Sequence, residues 1–209
     1  MAPTIDHIET AGPDRRARRL VFSCGLEPRL TANSVVKELA LEEGTAYADD
    51  ELETLLGDAE HRHAKERALR LLGYRDRSYR EIDRRLTDDG YPHAVRDAVM
   101  CRLVELGLVD DARFAASWAR SRAAAGIGSR RIAAELQQRG VDSDLTARAI
   151  EDLDCGDELE RAQAALRGRT ASTPKEREKL VRRLVSRGFG LQTALAAVGK
   201  SVQDDEGGS

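Results

Sequence analysis

Apolar residues recur along this chain with the spacing of amphipathic helices, and one pattern appears three times between about residues 64 and 200. In each copy, two apolar residues four positions apart are followed by a glycine and a further apolar residue. The aligned positions are Ile82, Ile132 and Leu180; Leu86, Leu136 and Leu184; Gly90, Gly140 and Gly188; and Tyr91, Val141 and Phe189. The glycines lie 50 and then 48 residues apart, which is a repeat length typical of stacked helical units.

Each copy predicts three helices. Apolar residues four apart lie on one helix face, and a glycine directly after them is suited to the left-handed conformation that ends a helix. Ser78 with Glu81, and Thr173-Pro174 with Glu176, predict capping boxes at helix starts. Apolar periodicity before each cap and after each glycine adds a first and a third helix to every copy.

The segment before the repeats has a different pattern. Two β-favouring stretches, Thr4–Glu9 and Arg18–Ser23, and a helical pattern over Ala32–Leu41 predict a small hairpin packed on a helix. Asp49 or Asp50 is a candidate cap for the next helix, which either continues into the repeats or is followed by another helix from about residue 58.

These patterns predict a mainly α protein: three tandem three-helix repeats in a curved solenoid, with a small N-terminal β-hairpin and helix domain. The predicted segments are the leader 1–57, repeats 58–108, 109–155 and 156–200, and a disordered acidic tail 201–209. The composition of the tail is that of a disordered segment.

Charge is distributed unevenly along the chain. Residues 1–63 hold 7 basic and 13 acidic residues, whereas residues 64–200 hold 27 basic and 21 acidic ones. A basic middle is suited to nucleic acid or to an acidic protein surface, although a GC-rich genome would also favour arginine. No apolar run approaches the roughly 18 residues of a membrane span. Three cysteines without metal-ligand spacing favour reduced thiols in a cytoplasmic protein.

Two segments are distinctive beyond their periodicity. One is Arg75-Asp76-Arg77-Ser78, and the other is Gly107-Leu108-Val109-Asp110-Asp111-Ala112-Arg113-Phe114-Ala115, continuing to Trp118. Together with the repeats they resemble the RecX family, bacterial modulators of the RecA recombinase, over about residues 64–200. The resemblance implies a non-enzymatic protein without cofactor or metal. It implies binding to the RecA–DNA filament and suppression of strand exchange, ATP hydrolysis and coprotease action.

The resemblance also carries over candidate positions. The candidate contacts to partner or DNA are Arg75, Arg77, Asp110, Asp111, Arg113, Arg122, Arg130 and Arg131. The structural positions of the motif are Phe114, Trp118 and Gly126, with the repeat glycines Gly90, Gly140 and Gly188. Since the third repeat lacks the arginine-bearing turn, we expect the first two to make most specific contacts and the third to cap or extend the surface.

Several of these residues also have a structural explanation. Asp110 and Asp111 directly precede a predicted helix and are suited to capping it. Phe114 and Trp118, four apart, are expected in the core between repeats. A Gly-x-Gly at Gly126 without a preceding strand favours a connector over a phosphate loop. The arginines around the turns are the strongest candidates for contact with a partner or DNA, because guanidinium groups bind carboxylate and phosphate groups well.

No catalytic arrangement is apparent in the sequence. His61 and His63, two apart on a helix, point in different directions, and no Walker-type loop is present. A helix-turn-helix-like DNA-binding protein acting without a recombinase is the alternative hypothesis. An isoelectric point near 5.9 predicts only weak, sequence-independent DNA binding. An enzyme of unknown class is the least favoured hypothesis. We expect a monomer with no membrane partner.

Overall fold

The structure is a computed structural model that describes residues 3–23, 25–153, 158–167, 169 and 171–206. It is mainly helical, with a small sheet before the first helix. The chain divides into two compact units, unit 1 ending at Asp110 and unit 2 beginning at Asp111. Unit 1 is built around one hydrophobic core, and unit 2 around two.

Unit 1 begins with an antiparallel sheet whose strands are neighbours in sequence order. Its elements are β1 (Ile5–Ala11), β2 (Ala17–Phe22), β3 (Arg29–Ala32), α1 (Asn33–Glu38), α2 (Asp49–Tyr74), α3 (Tyr79–Asp88) and α4 (His93–Glu105). The predicted hairpin corresponds to β1 and β2, but the prediction missed β3. That strand has four residues, too few alternating positions to show a strand pattern. Helix α1 is shorter than predicted, because Ala40 takes a left-handed φ of 46°.

The sheet and the first repeat share a single core. Ile5 and Leu20 from the sheet lie in the same buried cluster as Leu56 of α2 and Ile82 of α3. Helix α2 runs unbroken across the boundary predicted after residue 57. Its N-cap is Ala48, without a side-chain hydrogen bond, so neither predicted aspartate takes that position.

Two glycines let the backbone of the sheet approach the end of α3. A Cβ on Gly90 would lie 2.6 Å from the Cβ of Ala17 and 2.8 Å from the carbonyl oxygen of Thr31. A Cβ on Gly12 would lie 2.8 Å from the carbonyl oxygen of Asp88. Because any side chain at these glycines would collide with neighbouring atoms, the contact holds the sheet directly on the first repeat.

Unit 2 contains the second and third repeats. The second comprises α5 (Asp111–Ala124), α6 (Ser129–Gln138) and α7 (Ser143–Glu151), and the third comprises α8 (Glu158–Leu166), α9 (Pro174–Ser186) and α10 (Leu191–Glu206). Each triplet has its own buried cluster, centred on Ile132 and Leu136 in one and on Leu184 and Phe189 in the other. With α2 to α4, these triplets confirm the predicted three-helix repeats.

The repeat glycines end the middle helix of each repeat as predicted. Gly90, Gly140 and Gly188 have φ of 92°, 79° and 92°. In each case the N–H of the next apolar residue donates across the last helical turn, over 3.1 Å, to the carbonyl of the repeat leucine. This is the Schellman arrangement. The capping boxes at Ser78 and Thr173 are also formed.

Three further expectations have different outcomes in the structure. Helix α10 continues to Glu206, so the predicted disordered tail is helical through that residue, and 207–209 lie outside the described residues. Phe114 and Trp118 pack within the core of the second repeat, instead of between repeats. Cys101 is a free, exposed thiol, whereas Cys24 and Cys155 lie outside the described residues. The predicted boundaries between repeats stay predictions.

Candidate functional site

Arg75 braces the turn that leads into α3. Its Nη1 and Nη2 donate to Oε2 and Oε1 of Glu81 over 3.0 and 2.9 Å. Glu81 in turn closes the capping box with Ser78. The hydrogen bonds with Glu81 raise the pKa of Arg75. A planar guanidinium matched to a carboxylate in this way is a well-oriented ion pair. Arg75 therefore uses both of its terminal nitrogens for a contact within the chain.

Arg77 ties the same turn to the end of α2. Its Nε donates to the carbonyl oxygen of Leu71 over 3.1 Å, one of the carbonyls that a helix end leaves without a partner. Within the described part of the chain it makes no ion pair. Burial, followed by repulsion from Arg75, lowers the pKa of Arg77. A half-buried cation without a carboxylate partner can accept an anionic group at low cost.

Arg80 is a candidate that the sequence interpretation missed. It is the second residue of α3, just as Arg130 is the second residue of α6, and the two are 50 residues apart, the spacing of the repeat glycines. Both side chains are exposed, and neither makes an ion pair with any described residue. The alignment on Gly90 and Gly140 could have identified Arg80.

In the second repeat, Arg122 forms the corresponding ion pair. Its Nε and Nη2 donate to the two carboxylate oxygens of Glu135, each over 2.7 Å. Arg131 donates to the same carboxylate through Nε over 3.2 Å, and its Nη1 reaches the carbonyl of Ser186 at 3.5 Å. The hydrogen bonds from Arg122 hold the pKa of Glu135 below its usual value.

Trp118 contacts Arg122 from the side of the core. Its ring stacks on Phe114 with 6.0 Å between centroids. The guanidinium carbons of Arg139 and Arg122 lie 3.9 and 5.7 Å from the Trp118 centroid, within the range of cation–π attraction. The predicted contact residue Arg122 is therefore engaged by Glu135 and Trp118 within the chain, and its contact with a partner stays a prediction.

The third repeat fixes the start of α6. The N–H groups of Gly128 and Arg130 donate to the carbonyls of Arg187 and Gly188 over 3.0 and 3.1 Å. A Cβ on Gly128 would lie 2.2 Å from the backbone nitrogen of Phe189. The backbone of Arg130 is thus held against the glycine turn of the third repeat while its side chain stays exposed. Sequence reasoning assigned the third repeat only to capping or extension and missed this contact.

Side chains of the third repeat add to this contact. The N–H of Ser129 donates to Oε1 of Glu158 over 3.0 Å, and the Ser129 hydroxyl accepts from Nη2 of Arg161 over 3.1 Å. The first of these bonds satisfies a backbone donor that a helix N-terminus leaves free, and the second ties α8 to the start of α6. The position of Arg130 is therefore set by two elements of another repeat as well as by its own helix.

The remaining candidate positions lie around α5. Asp110 directly precedes the helix and Asp111 is its first residue, which is where acids stabilise a helix start. Asp110, Asp111 and Arg113 each have an interaction within the chain. Gly126 ends α5 in the left-handed region, with φ of 72°, so it belongs to a helix end and connector. Contact of Asp110, Asp111 and Arg113 with a partner or DNA stays a prediction.

Among the described residues, no group of three or more His, Cys, Asp or Glu side chains is placed to hold a metal ion. Within the same part of the chain, no helix has both the length and the apolar character needed to cross a bilayer.

Comparison with known proteins identifies similar chains. Family models match at residues 64–103, described as the first three-helix domain of RecX, and at 110–150, described as its second. The regulatory protein RecX of Mycolicibacterium smegmatis is 41% identical over 145 residues, covering 65% of this chain and 77% of the relative. That of Mycobacterium ulcerans is 41% identical over 142 residues, covering 65% and 82%.

Two solved structures are similar in fold. A crystal structure of regulatory protein RecX superposes with a TM-score of 0.60 at 22% identity, covering 91% of this chain and 96% of the other. A crystal structure of RecX from Lactobacillus salivarius gives a TM-score of 0.61 at 19% identity, covering 68% and 96%.

Proposed function

This chain belongs to the RecX family, and from that premise we propose that it is a non-enzymatic regulator that binds the RecA–DNA filament and suppresses its recombinase, ATPase and coprotease activities. The repeats would present arginines to acidic recombinase surfaces or to the DNA phosphates of the filament. Several such contacts on one chain add through effective concentration, so each can be weak on its own.

The observation that carries this proposal is the equivalence of Arg80 and Arg130. Both are exposed at the same position of the middle helix in repeats one and two, and both lack an ion pair with the described residues. By contrast, Arg75 and Arg122 are each held by a carboxylate of their own repeat. We assign contact to Arg80, Arg130 and Arg77, and positioning to Arg75, Arg122 and Arg131, the last of which also pairs with Glu135.

The fixed backbone of Arg130 supports this assignment. A recognition group contributes more when its position is set before binding, because less conformational entropy is lost on association. The hydrogen bonds that hold the start of α6 to the third repeat fix this backbone in the free protein. The third repeat then acts as the support of the second repeat's contact site.

The alternative function, DNA reading in the helix-turn-helix manner, has less electrostatic support. In that mode the third helix of a unit enters the major groove. Helix α4 carries two arginines and two acids, and Arg96 and Arg102 are both paired with acids. Helix α7 carries one arginine against two acids. Such helices lack the positive charge that duplex binding requires.

DNA-dependent ATP hydrolysis by the organism's RecA tests the proposal. Wild-type protein should lower the hydrolysis rate in a saturable manner, and the double variant Arg80→Glu/Arg130→Glu should require a much higher concentration. Lys65→Glu/Arg148→Glu is the matched control, because both residues are exposed and make no ion pair with the described residues. Hydrolysis that is unchanged at saturating wild-type protein would contradict the proposal.

A further inference from the structure

Unit 1 contains a basic cleft of about 270 Å³ where the sheet meets α2. One wall holds Arg16, which precedes β2, and Lys37 of α1. The other wall holds Arg67 and Arg70, three apart on one face of α2. Cations from three separate segments therefore converge on the same space.

At the floor of the cleft, the carboxylate of Asp89 is already paired with two arginines. Nε of Arg67 donates to Oδ2 of Asp89 over 2.6 Å, and Nη1 of Arg16 lies 3.8 Å from Oδ1 of the same residue. The Asp89 side chain is only 8% exposed. Arg67 and Arg16 thus neutralise the buried carboxylate of Asp89. Asp89 therefore does not balance the charge of the other cations in the cleft.

The other cations of the cleft have little to balance them. Lys37 and Arg70 are exposed and make no ion pair with the described residues. Arg67 uses Nε for Asp89, while its terminal nitrogens make no hydrogen bond to the described part of the chain. Glu66 is the second acid in the lining, so four cations face two carboxylates.

We propose that this cleft is a phosphate-binding site. Guanidinium and ammonium groups are the side chains that most often bind phosphate. Donors that approach from two walls match the tetrahedral oxygens of phosphate, whereas a carboxylate is planar and is satisfied by one guanidinium fork. The lining contains no Phe, Tyr or Trp, and its histidine, His63, is paired with Glu38, so a base would have no free ring on which to stack. The cleft recognises the phosphate group itself, in a nucleic-acid backbone or in a small phosphate compound.

The cleft is formed before any ligand binds. Gly12 and Gly90 bring the sheet into direct backbone contact with the end of α3, at distances that exclude a side chain at either position. Asp89 lies next to Gly90 in this turn. The two walls are therefore held at a fixed separation, which lowers the entropy lost on binding. This site is separate from Arg80 and Arg130 and does not depend on the proposed recombinase function.

Calorimetric titration of the full chain with inorganic pyrophosphate, at low ionic strength and without recombinase, tests the site. Wild-type protein and the control Lys65→Ala/Arg148→Ala should bind equally. Lys37→Ala/Arg70→Ala should lose affinity by about tenfold or more, as expected when charge-assisted bonds are removed. Glu66→Gln should bind more tightly, because it removes a repelling charge. This gain cannot result from misfolding.

Competition identifies the source of the phosphate. Displacement of pyrophosphate by a short DNA duplex assigns the site to the nucleic-acid backbone, and its absence assigns the site to small phosphate compounds. Either result supports the proposal. Equal binding by Lys37→Ala/Arg70→Ala, no binding by wild type, or stronger binding of an oligoglutamate peptide than of pyrophosphate would overturn it.

Discussion

The backbone N–H of Arg130 donates a hydrogen bond to the carbonyl oxygen of Gly188 over 3.1 Å. This bond joins the arginine-bearing turn of the second repeat to the glycine turn of the third. The arginine and the glycine that supports it are 58 positions apart in the sequence. The side chain of Arg130 stays exposed, so the contact positions the arginine without using its charge.

Replacing Gly188 by alanine should destabilise unit 2. The glycine has φ of 92°, and a Cβ there would lie 2.3 Å from the Cβ of Arg131 and 2.6 Å from its backbone nitrogen. The left-handed strain and the collision together should cost about 3 kcal/mol of unfolding free energy. Urea unfolding followed by circular dichroism measures this loss.

Gly199→Ala is the matched control for that substitution. Nothing lies within 4 Å of a Cβ at this position of α10, and alanine in a helix is favoured over glycine by up to about 1 kcal/mol. We expect unchanged or slightly higher stability. Equal urea midpoints for the two variants would contradict the tight contact at Gly188.

Glu60 should be essential to the attachment of the sheet. Its side chain is fully buried, and Oε2 accepts a hydrogen bond from Nη2 of Arg29 over 2.8 Å. Burial lowers the pKa of Arg29, but hydrogen bonds with Glu53 and Glu60 outweigh it and leave the pKa raised. Glu60→Ala leaves Arg29 partly buried without its inner partner, which should cost about 3–5 kcal/mol in urea unfolding.

Glu53→Ala tests the same arginine from the exposed side. Glu53 also pairs with Arg29, but its side chain is 70% exposed, so its removal should cost at most about 1 kcal/mol. If Glu53→Ala and Glu60→Ala destabilise the protein equally, burial is not what makes the inner pair important.

Acid should weaken unit 2 through Glu135. Arg122 holds the folded-state pKa of this carboxyl below its ordinary value of 4.5. A lowered folded pKa means that the stabilisation is complete above the unfolded value and is lost as the pH falls through the lower folded value. Urea unfolding of wild type between pH 6 and pH 3 should therefore show a loss that begins near pH 4.5.

Glu135→Gln should reduce the slope of that pH dependence, and Arg122→Gln should reduce it similarly because it removes the principal cause of the shift. Both variants should be less stable than wild type at neutral pH. A slope that is identical in wild type and Glu135→Gln would exclude Glu135 as a source of the acid sensitivity.

Local features of the fold could be predicted from the sequence, and distant contacts could not. The turns at Gly90, Gly140 and Gly188 depend on a window of a few residues, which the sequence contains in full. The pairing of Arg122 with Glu135 spans 13 positions and depends on how α5 packs on α6. The contact of Gly128 with Phe189 depends on the packing of two repeats, which periodicity does not encode.

In the candidate site, too, single residues could be predicted from the sequence but their distant partners could not. Arg75 and Arg122 were predicted as contact residues from the motif, but their carboxylate partners became apparent only in three dimensions. Arg80 occupies the position equivalent to Arg130, but it lies after Ser78 and outside the Arg75–Ser78 motif on which the prediction rested. The basic cleft around Arg70 could not be predicted, because one wall comes from the sheet and α1 and the other from α2, and their packing is not apparent in the sequence.

Co-sedimentation with the organism's RecA–DNA filaments tests the central proposal most directly. Wild-type protein and Lys65→Glu/Arg148→Glu should pellet with the filaments to the same extent, and Arg80→Glu/Arg130→Glu should remain largely in the supernatant. Circular dichroism should verify that all three are equally folded. Equal pelleting of wild type and Arg80→Glu/Arg130→Glu would contradict the assignment of these arginines as the contact site.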